Sequence, residues 1–224
     1  MNKIRLLMGF LVLILVLVLA LVMGYHGGGE RLSGEEVEQY LSIIAGQDQK
    51  PGGRHDLIAL RDFLEKDDGQ PFYTVNVYRF HAEAQYLPGS EYFDRSVGGS
   101  VGGSIAGTGK AAFERFSKTM IKLLASHSSH PIFASNWVHD ESSNWEKLVI
   151  VRYKSRRDIA ELFASNEFAD ASEHKWAALA ANERMLVQGL HIPSFYIIAL
   201  IAFLFFGLVF SALYYIFKVK RKVV

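Results

Sequence analysis

The sequence predicts an α+β domain, built in the order β-α-β-β-α-β and set between two transmembrane helices. Three observations carry that expectation. Two long uncharged runs bracket the chain, at residues 6–25 and 192–217. Between them, β-branched and aromatic segments alternate with segments whose apolar residues recur at helical spacing. The chain has no cysteine, which excludes disulfides, thiolate metal sites and a cysteine nucleophile.

The two runs come first. A helix rises about 1.5 Å per residue and the hydrocarbon core is about 30 Å thick, so about 20 apolar residues span it. Both runs meet that length. The first follows the short basic segment "MNKIR", as the core of a signal peptide also would. Its apolar stretch is longer than a signal-peptide core and no clear small-x-small cleavage site follows, so it reads as an uncleaved anchor, with cleavage as the alternative. Lys3 and Arg5 precede the first span, and Lys218, Lys220, Arg221 and Lys222 follow the second. Positive flanks on both sides place both termini in the cytoplasm and the central domain on the far side of the cell membrane. Gly207, Ser211 and Ala212 offer small residues for helix packing, and Tyr214 and Tyr215 suit the inner lipid interface. Neither run holds an ionisable residue, which argues against an ion path through this chain alone.

Removing those six basic residues from the 24 Lys and Arg leaves a central domain of net charge about −5, against +1 for the whole chain. An acidic domain argues against nucleic acid as a partner, because phosphate backbones bind basic surfaces.

The elements follow in order. Residues 26–33, "HGGGERLS", read as a spacer. "SGEEVEQYLSIIAG" is a helix with Ser33 as its N-cap, acidic residues in its first turn and Gly46 as its stop. "RHDLIALRDFLEKDDG" is a second helix, with Leu57, Leu60, Phe63 and Leu64 on one side and Gly69 at its end. These occupy the segment 26–70, ahead of the domain at 71–190, and are expected to pack on that domain or to stand between it and the membrane. "PFYTVNVYRFHA" is the first strand. "KAAFERFSKTMIKLLASHSSH" is amphipathic, lining Phe113, Phe116, Met120, Leu123 and Leu124 along one face. "PIFASNWVHD" and "WEKLVIVRYK" form a hairpin across "ESSN". Ser155 caps a helix over "RRDIAELFASNEF", a further helical stretch holds Trp176 and Leu179, and "ERMLVQGL" is the last strand. This succession is the split βαβ of ferredoxin-like folds. An antiparallel sheet with helices on one side must bury its other face, and a second copy of the chain is the simplest cover.

Between the first strand and the helix after it lies "SVGGSVGGSIAGTGK", residues 96–110, with a glycine-rich insertion at 96–109. A phosphate-binding Walker loop needs glycine where Ser104 stands, and Ser or Thr where Ala111 stands. A dinucleotide fingerprint fails because Ala112 follows Gly107 and Gly109 at the required place. The tandem "SVGG" remains as a permissive connection, a lid over the domain, or a contact for a membrane partner. His127 and His130 in "HSSH" have a spacing that a helix could offer to a metal, but Ser128, Ser129 and Pro131 end the helix there, so no metal site is expected.

"FYTVNVYRF", "GKAAFERFSKTM" and "WEKLVIVRYKSRRDIAELFASNEFADASEHKWAALAANERMLV" occur in this order over residues 71–189. The chain thereby resembles uncharacterised proteins of the dimeric alpha-beta-barrel superfamily. The resemblance implies a four-stranded antiparallel sheet, helices on one face, and a barrel closed by a homodimer. Related barrel enzymes, the cofactor-free and haem-degrading oxygenases, work with an Asn on the first strand, a Trp and a His, which here implies Asn76, Trp145 and His174. Arg79, Arg152 and Tyr78 also match the pattern. The resemblance thus implies Asn76, Arg79, Arg152 and His174 as catalytic candidates and Trp145 and Tyr78 as cofactor-side candidates, with the cofactor unknown. Strand parity sets Asn76 and Tyr78 on one sheet face and Arg79 on the other. The plainer readings are structural ion bridges for the two arginines, a core or dimer contact for Trp145 and an exposed helix position for His174.

Three function classes follow. The first is an extracytoplasmic, membrane-anchored module that binds a small molecule or a neighbouring protein. The second is an oxygenase or isomerase working in the barrel cavity. The third is an accessory subunit of a membrane complex. The expected partners are membrane lipid and either a second copy or a membrane protein.

Overall fold

The computed structural model describes residues 2–26, 28–47, 50, 55–93, 107–139, 144–189 and 195–220. The "SVGG" repeat and the hairpin tip "DESS" lie outside the described residues. The chain divides into two compact units.

One unit holds α1 (Asn2–His26) and α7 (Phe195–Lys220), which pack on each other. A Cβ added at Gly207 would stand 3.9 Å from Leu11 Cδ1, so the small residue lies at ordinary contact distance from α1. Over Tyr196–Ile216 α7 is long and apolar enough to cross a membrane, with a mean hydropathy of 2.6. The described apolar stretch of α1, Gly9–Tyr25, falls short of that length. Two spans were expected; among the described residues one helix meets the requirement.

The other unit, Gly28–Gly189, is a mixed α+β fold. Its elements are α2 (Gly34–Ala45), α3 (Leu57–Glu65), β1 (Phe72–Phe80), α4 (Gly109–Ser126), β2 (His130–Ala134), β3 (Lys147–Tyr153), α5 (Arg156–Ala164), α6 (Asn166–Ala178) and β4 (Leu179–Val187). The strands form one antiparallel sheet in the order β2-β3-β1-β4. The helices pack on one face of it.

α2 starts where expected. The Ser33 side chain accepts from the Glu36 backbone N–H while the Glu36 carboxylate accepts from Ser33, a reciprocal capping box. Arg157 of α5 also binds that carboxylate and is the chief reason it titrates near 2, well below an ordinary glutamate. α2 and α3 pack on the domain, the first of the two placements expected for them. Val37, Leu41, Ile44, Leu60 and Leu64 join Phe72, Tyr153, Ile159 and Leu162 in one core. A second core gathers Tyr78, Tyr86, Phe113, Phe116 and Ala178.

Two sequence expectations are corrected. The helix capped by Ser155 does not run on to Phe168. It breaks at Ser165, whose backbone is extended and whose hydroxyl donates to Leu162 O (2.8 Å) and accepts from Phe168 N–H (3.1 Å). One residue closes α5 and opens α6. The last strand begins at Leu179 rather than Glu183, because Leu179 pairs with Phe80 across an irregularity at Arg79/Phe80. The His81 N–H also bonds Ala178 O at 2.9 Å. Sheet pairing there overrides the helical periodicity that had placed Leu179 on a helix.

Gly109 shows why the "GTGK" motif ends in Gly-Lys. A Cβ at Gly109 would lie 2.5 Å from His81 O and 2.6 Å from Ala178 O, so only glycine lets α4 start against the ends of β1 and α6. Thr108 caps the helix through Ala111 N–H (3.2 Å), and Lys110 pairs with Glu146 at 2.9 Å. The motif is structural.

Candidate functional site

In register, Asn76 stands between Val149 of β3 and Arg184 of β4. Alternation then puts Thr74, Asn76, Tyr78, Val149, Val151, Tyr153 and Arg184 on the helix-covered face. Tyr73, Val75, Val77, Arg79, Ile150 and Arg152 take the opposite face, where Phe133, Met185 and Val187 are exposed.

Two cavities lie between this face and the helices. The aromatic cavity, about 270 Å³, is walled by Phe113, Phe116 and Met120 of α4, Val149, Val151 and Tyr153 of β3, and Thr74, Asn76 and Tyr78 of β1. The polar cavity, about 290 Å³, is walled by His55, Asp56 and Phe63 beside and on α3, Ser172 and Trp176 of α6, and Asn182 and Leu186 of β4. Phe163, Phe168, Lys175 and Arg184 wall both. The two spaces therefore adjoin at a pair of cations framed by two phenyl rings.

The polar groups are held firmly. The Asn76 side-chain amide donates to Thr74 Oγ1 (3.0 Å), Thr74 O (3.3 Å) and Val149 O (3.3 Å). Burial raises the pKa of the Tyr78 and Tyr153 phenols, which stay protonated as donors. The Lys175 ammonium sits 4.8 Å from the Trp176 ring and 5.9 Å from the Phe116 ring. Loss of solvent, and secondarily the Arg184 guanidinium, push it down to about 7. Arg184 lies 5.8 Å from the Phe163 ring. Among the described residues no carboxylate lies within ion-pair distance of Lys175 or Arg184.

Of the residues expected from sequence, only Asn76 and Tyr78 are brought together. Asn76 and Tyr78 line the aromatic cavity. Arg79 is exposed and Arg152 is buried on the opposite face, as the parity of β1 and β3 requires. Trp145 precedes β3 and lines neither cavity. His174 is not an exposed position: its Nδ1 lies 2.7 Å from the Tyr86 hydroxyl, and its ring packs 4.8 Å from that of Tyr92. Burial lowers its pKa. His127 closes α4, with Nδ1 at 2.8 Å from Leu123 O, while His130 opens β2. Among the described residues no three metal-ligating side chains gather.

Lys175 and Arg184 were not singled out from sequence, yet a signal was present. Phe168, Ala171, Ser172, Lys175 and Ala178 share helical spacing, so Lys175 occupies a position on the buried stripe of α6. Arg184 falls on the same strand face as Asn182 and Leu186.

No protein-family model matches the chain, and no curated protein matches it in sequence. Two solved structures are similar to it. One is the RPA0582 protein of unknown function from Rhodopseudomonas palustris, at 14% identity and a TM-score of 0.50, covering 62% of this chain and 97% of that one. The other is a methylated RPA0582 protein, with the same identity and score, covering 63% and 96%. At that identity the likeness extends to the fold alone, and the fold is shared with a protein of unknown function.

Proposed function

We propose that this chain is a membrane-anchored, extracytoplasmic module that binds a small, largely apolar molecule between the sheet and its helices. The aromatic cavity carries the reading. Ligand sites are concave, mostly apolar and furnished with a few convergent polar groups, and Asn76, Tyr78, Lys175 and Arg184 are such groups in an otherwise aromatic and aliphatic wall.

The anchoring rests on α7, on its packing with α1, and on the basic residues at both ends, which favour two passes with cytoplasmic termini. The strand order β2-β3-β1-β4 suits a ferredoxin-like domain. Exposed Phe133, Met185 and Val187 favour a homodimer that closes a barrel across the opposite face, in keeping with the resemblance to dimeric alpha-beta-barrel proteins. An oxygenase or isomerase reading loses its support where His174 is turned to Tyr86 and the two arginines to the other side of the sheet.

Native mass spectrometry of the full-length protein in mild detergent, with an absorption spectrum of the same sample, tests the reading. A dimer carrying extra small-molecule mass is the expected result. A ligand-free chain held by a different membrane protein would overturn it in favour of an accessory subunit.

A further inference from the structure

We infer that Lys175 and Arg184 form an anion-recognition subsite, which takes the carboxylate of a ligand whose apolar body fills the aromatic cavity. This rests on the cavity reading above and names the ligand class it implies: an apolar, ring-bearing carboxylate.

The first support is position. Lys175 and Arg184 come from different elements, α6 and β4, yet both belong to the walls of both cavities. A carboxylate at that junction leaves the aromatic cavity free for the rest of the molecule. The second is charge. Lys175 has lost solvent while Arg184 stays exposed, and the two cations repel, so an anion held between them would relieve that repulsion. Among the described residues no carboxylate comes within ion-pair distance of either. Asp56 lines the polar cavity, but it caps α3, accepting from Ile58 N–H (3.1 Å) and Ala59 N–H (3.0 Å).

The third support is independent of both. Ser172, on the wall of the polar cavity, is 1% exposed and its hydroxyl has no hydrogen-bond partner. Buried hydroxyls are nearly always bonded, so an unsatisfied one on a residue of the cavity wall marks a place for a ligand atom. A carboxylate offers that atom while accepting charge-assisted bonds from Lys175 and Arg184. Arg184 is exposed and Lys175 half-buried, so the subsite opens to solvent. The ammonium, held near 7, gains most when an anion arrives to share its interior position.

Isothermal titration of the full-length protein in detergent with 2-naphthoate and with its neutral amide tests this. The wild type is expected to bind the carboxylate about tenfold or more tightly than the amide, since tenfold corresponds to about 1.4 kcal/mol, within reach of one charge-assisted bond. Lys175→Met and Arg184→Gln should each bring the two ligands to within about twofold, with the amide's own affinity kept, which also reports an intact fold. Equal binding of both compounds by the wild type, or a preference that survives both substitutions, overturns the anion subsite and leaves the cavity reading standing. Failure of both compounds to bind overturns the cavity reading together with it.

Discussion

Lys175 and Arg184 share the walls of two adjoining cavities, one cation from the buried stripe of α6 and one from the strand paired with Asn76. Such an arrangement costs stability unless something anionic completes it, so Lys175→Met should make the ligand-free protein more stable. The sign follows from the depressed pKa. Below about 7 the lysine is charged in both folded and unfolded chains and the burial cost is fully present. Between about 7 and its ordinary value of 10.5 the folded form is already neutral, and the cost fades as pH rises. Urea unfolding should show a gain on the order of 1–2 kcal/mol at pH 6, shrinking at pH 9. A loss of stability at both pH values would contradict this.

The same titration governs binding. An anion favours the protonated amine, so the affinity for 2-naphthoate should fall as pH rises through about 7. The other titratable groups on the walls of the two cavities are Arg184 on β4, His55 and Asp56 ahead of α3, and Lys147, Tyr78 and Tyr153 on the sheet; Glu173, two residues from Lys175 on α6, lines neither. Lys175→Met separates its share from theirs: calorimetry at pH 6 and 9 should find the pH dependence largely gone in the variant.

Gly109→Ala should destabilise by roughly 1–3 kcal/mol, since the new methyl meets two backbone carbonyls that cannot move independently. Lys110→Ala, which removes only an exposed partner of Glu146, should cost less than about 1 kcal/mol. Thermal melts of the pair distinguish a structural Gly-Lys from one that binds a ligand. Equal costs would argue against the close-approach explanation.

His174 should report acid sensitivity rather than catalysis. Its folded pKa lies below the usual 6.5, because burial favours the neutral ring, so its contribution is complete above about 6.5 and is lost as pH falls. His174→Phe should flatten part of that loss in denaturation series between pH 8 and 5. His130, also lowered by burial, keeps its own part. An unchanged slope in the variant would assign the acid sensitivity elsewhere.

Much of this was legible in the sequence where a local rule decides. Ser33 and Ser155 sit where an N-cap belongs, and the period-2 alternation of β1 separates Asn76 and Tyr78 from Arg79 in the sequence itself. What was hidden depends on contacts distant in the chain. Nothing near Leu179 says that Phe80 will claim it for the sheet, and Ser165 reads as one more polar helix residue until its hydroxyl is seen serving two helices. The candidate site suffered most. His174 drew the reading because the resemblance to barrel enzymes implied it, while Lys175, one residue on, was the side chain that the turn of α6 carries inward.

Intermolecular nuclear Overhauser effects from the ring protons of 2-naphthoate to methyl groups of the full-length protein test the central claim most directly. The account predicts contacts to Met120, Val149 and Val151, the methyl-bearing walls of the aromatic cavity. Contacts confined to Val75, Met185 and Val187 would place the ligand on the opposite face of the sheet and contradict it.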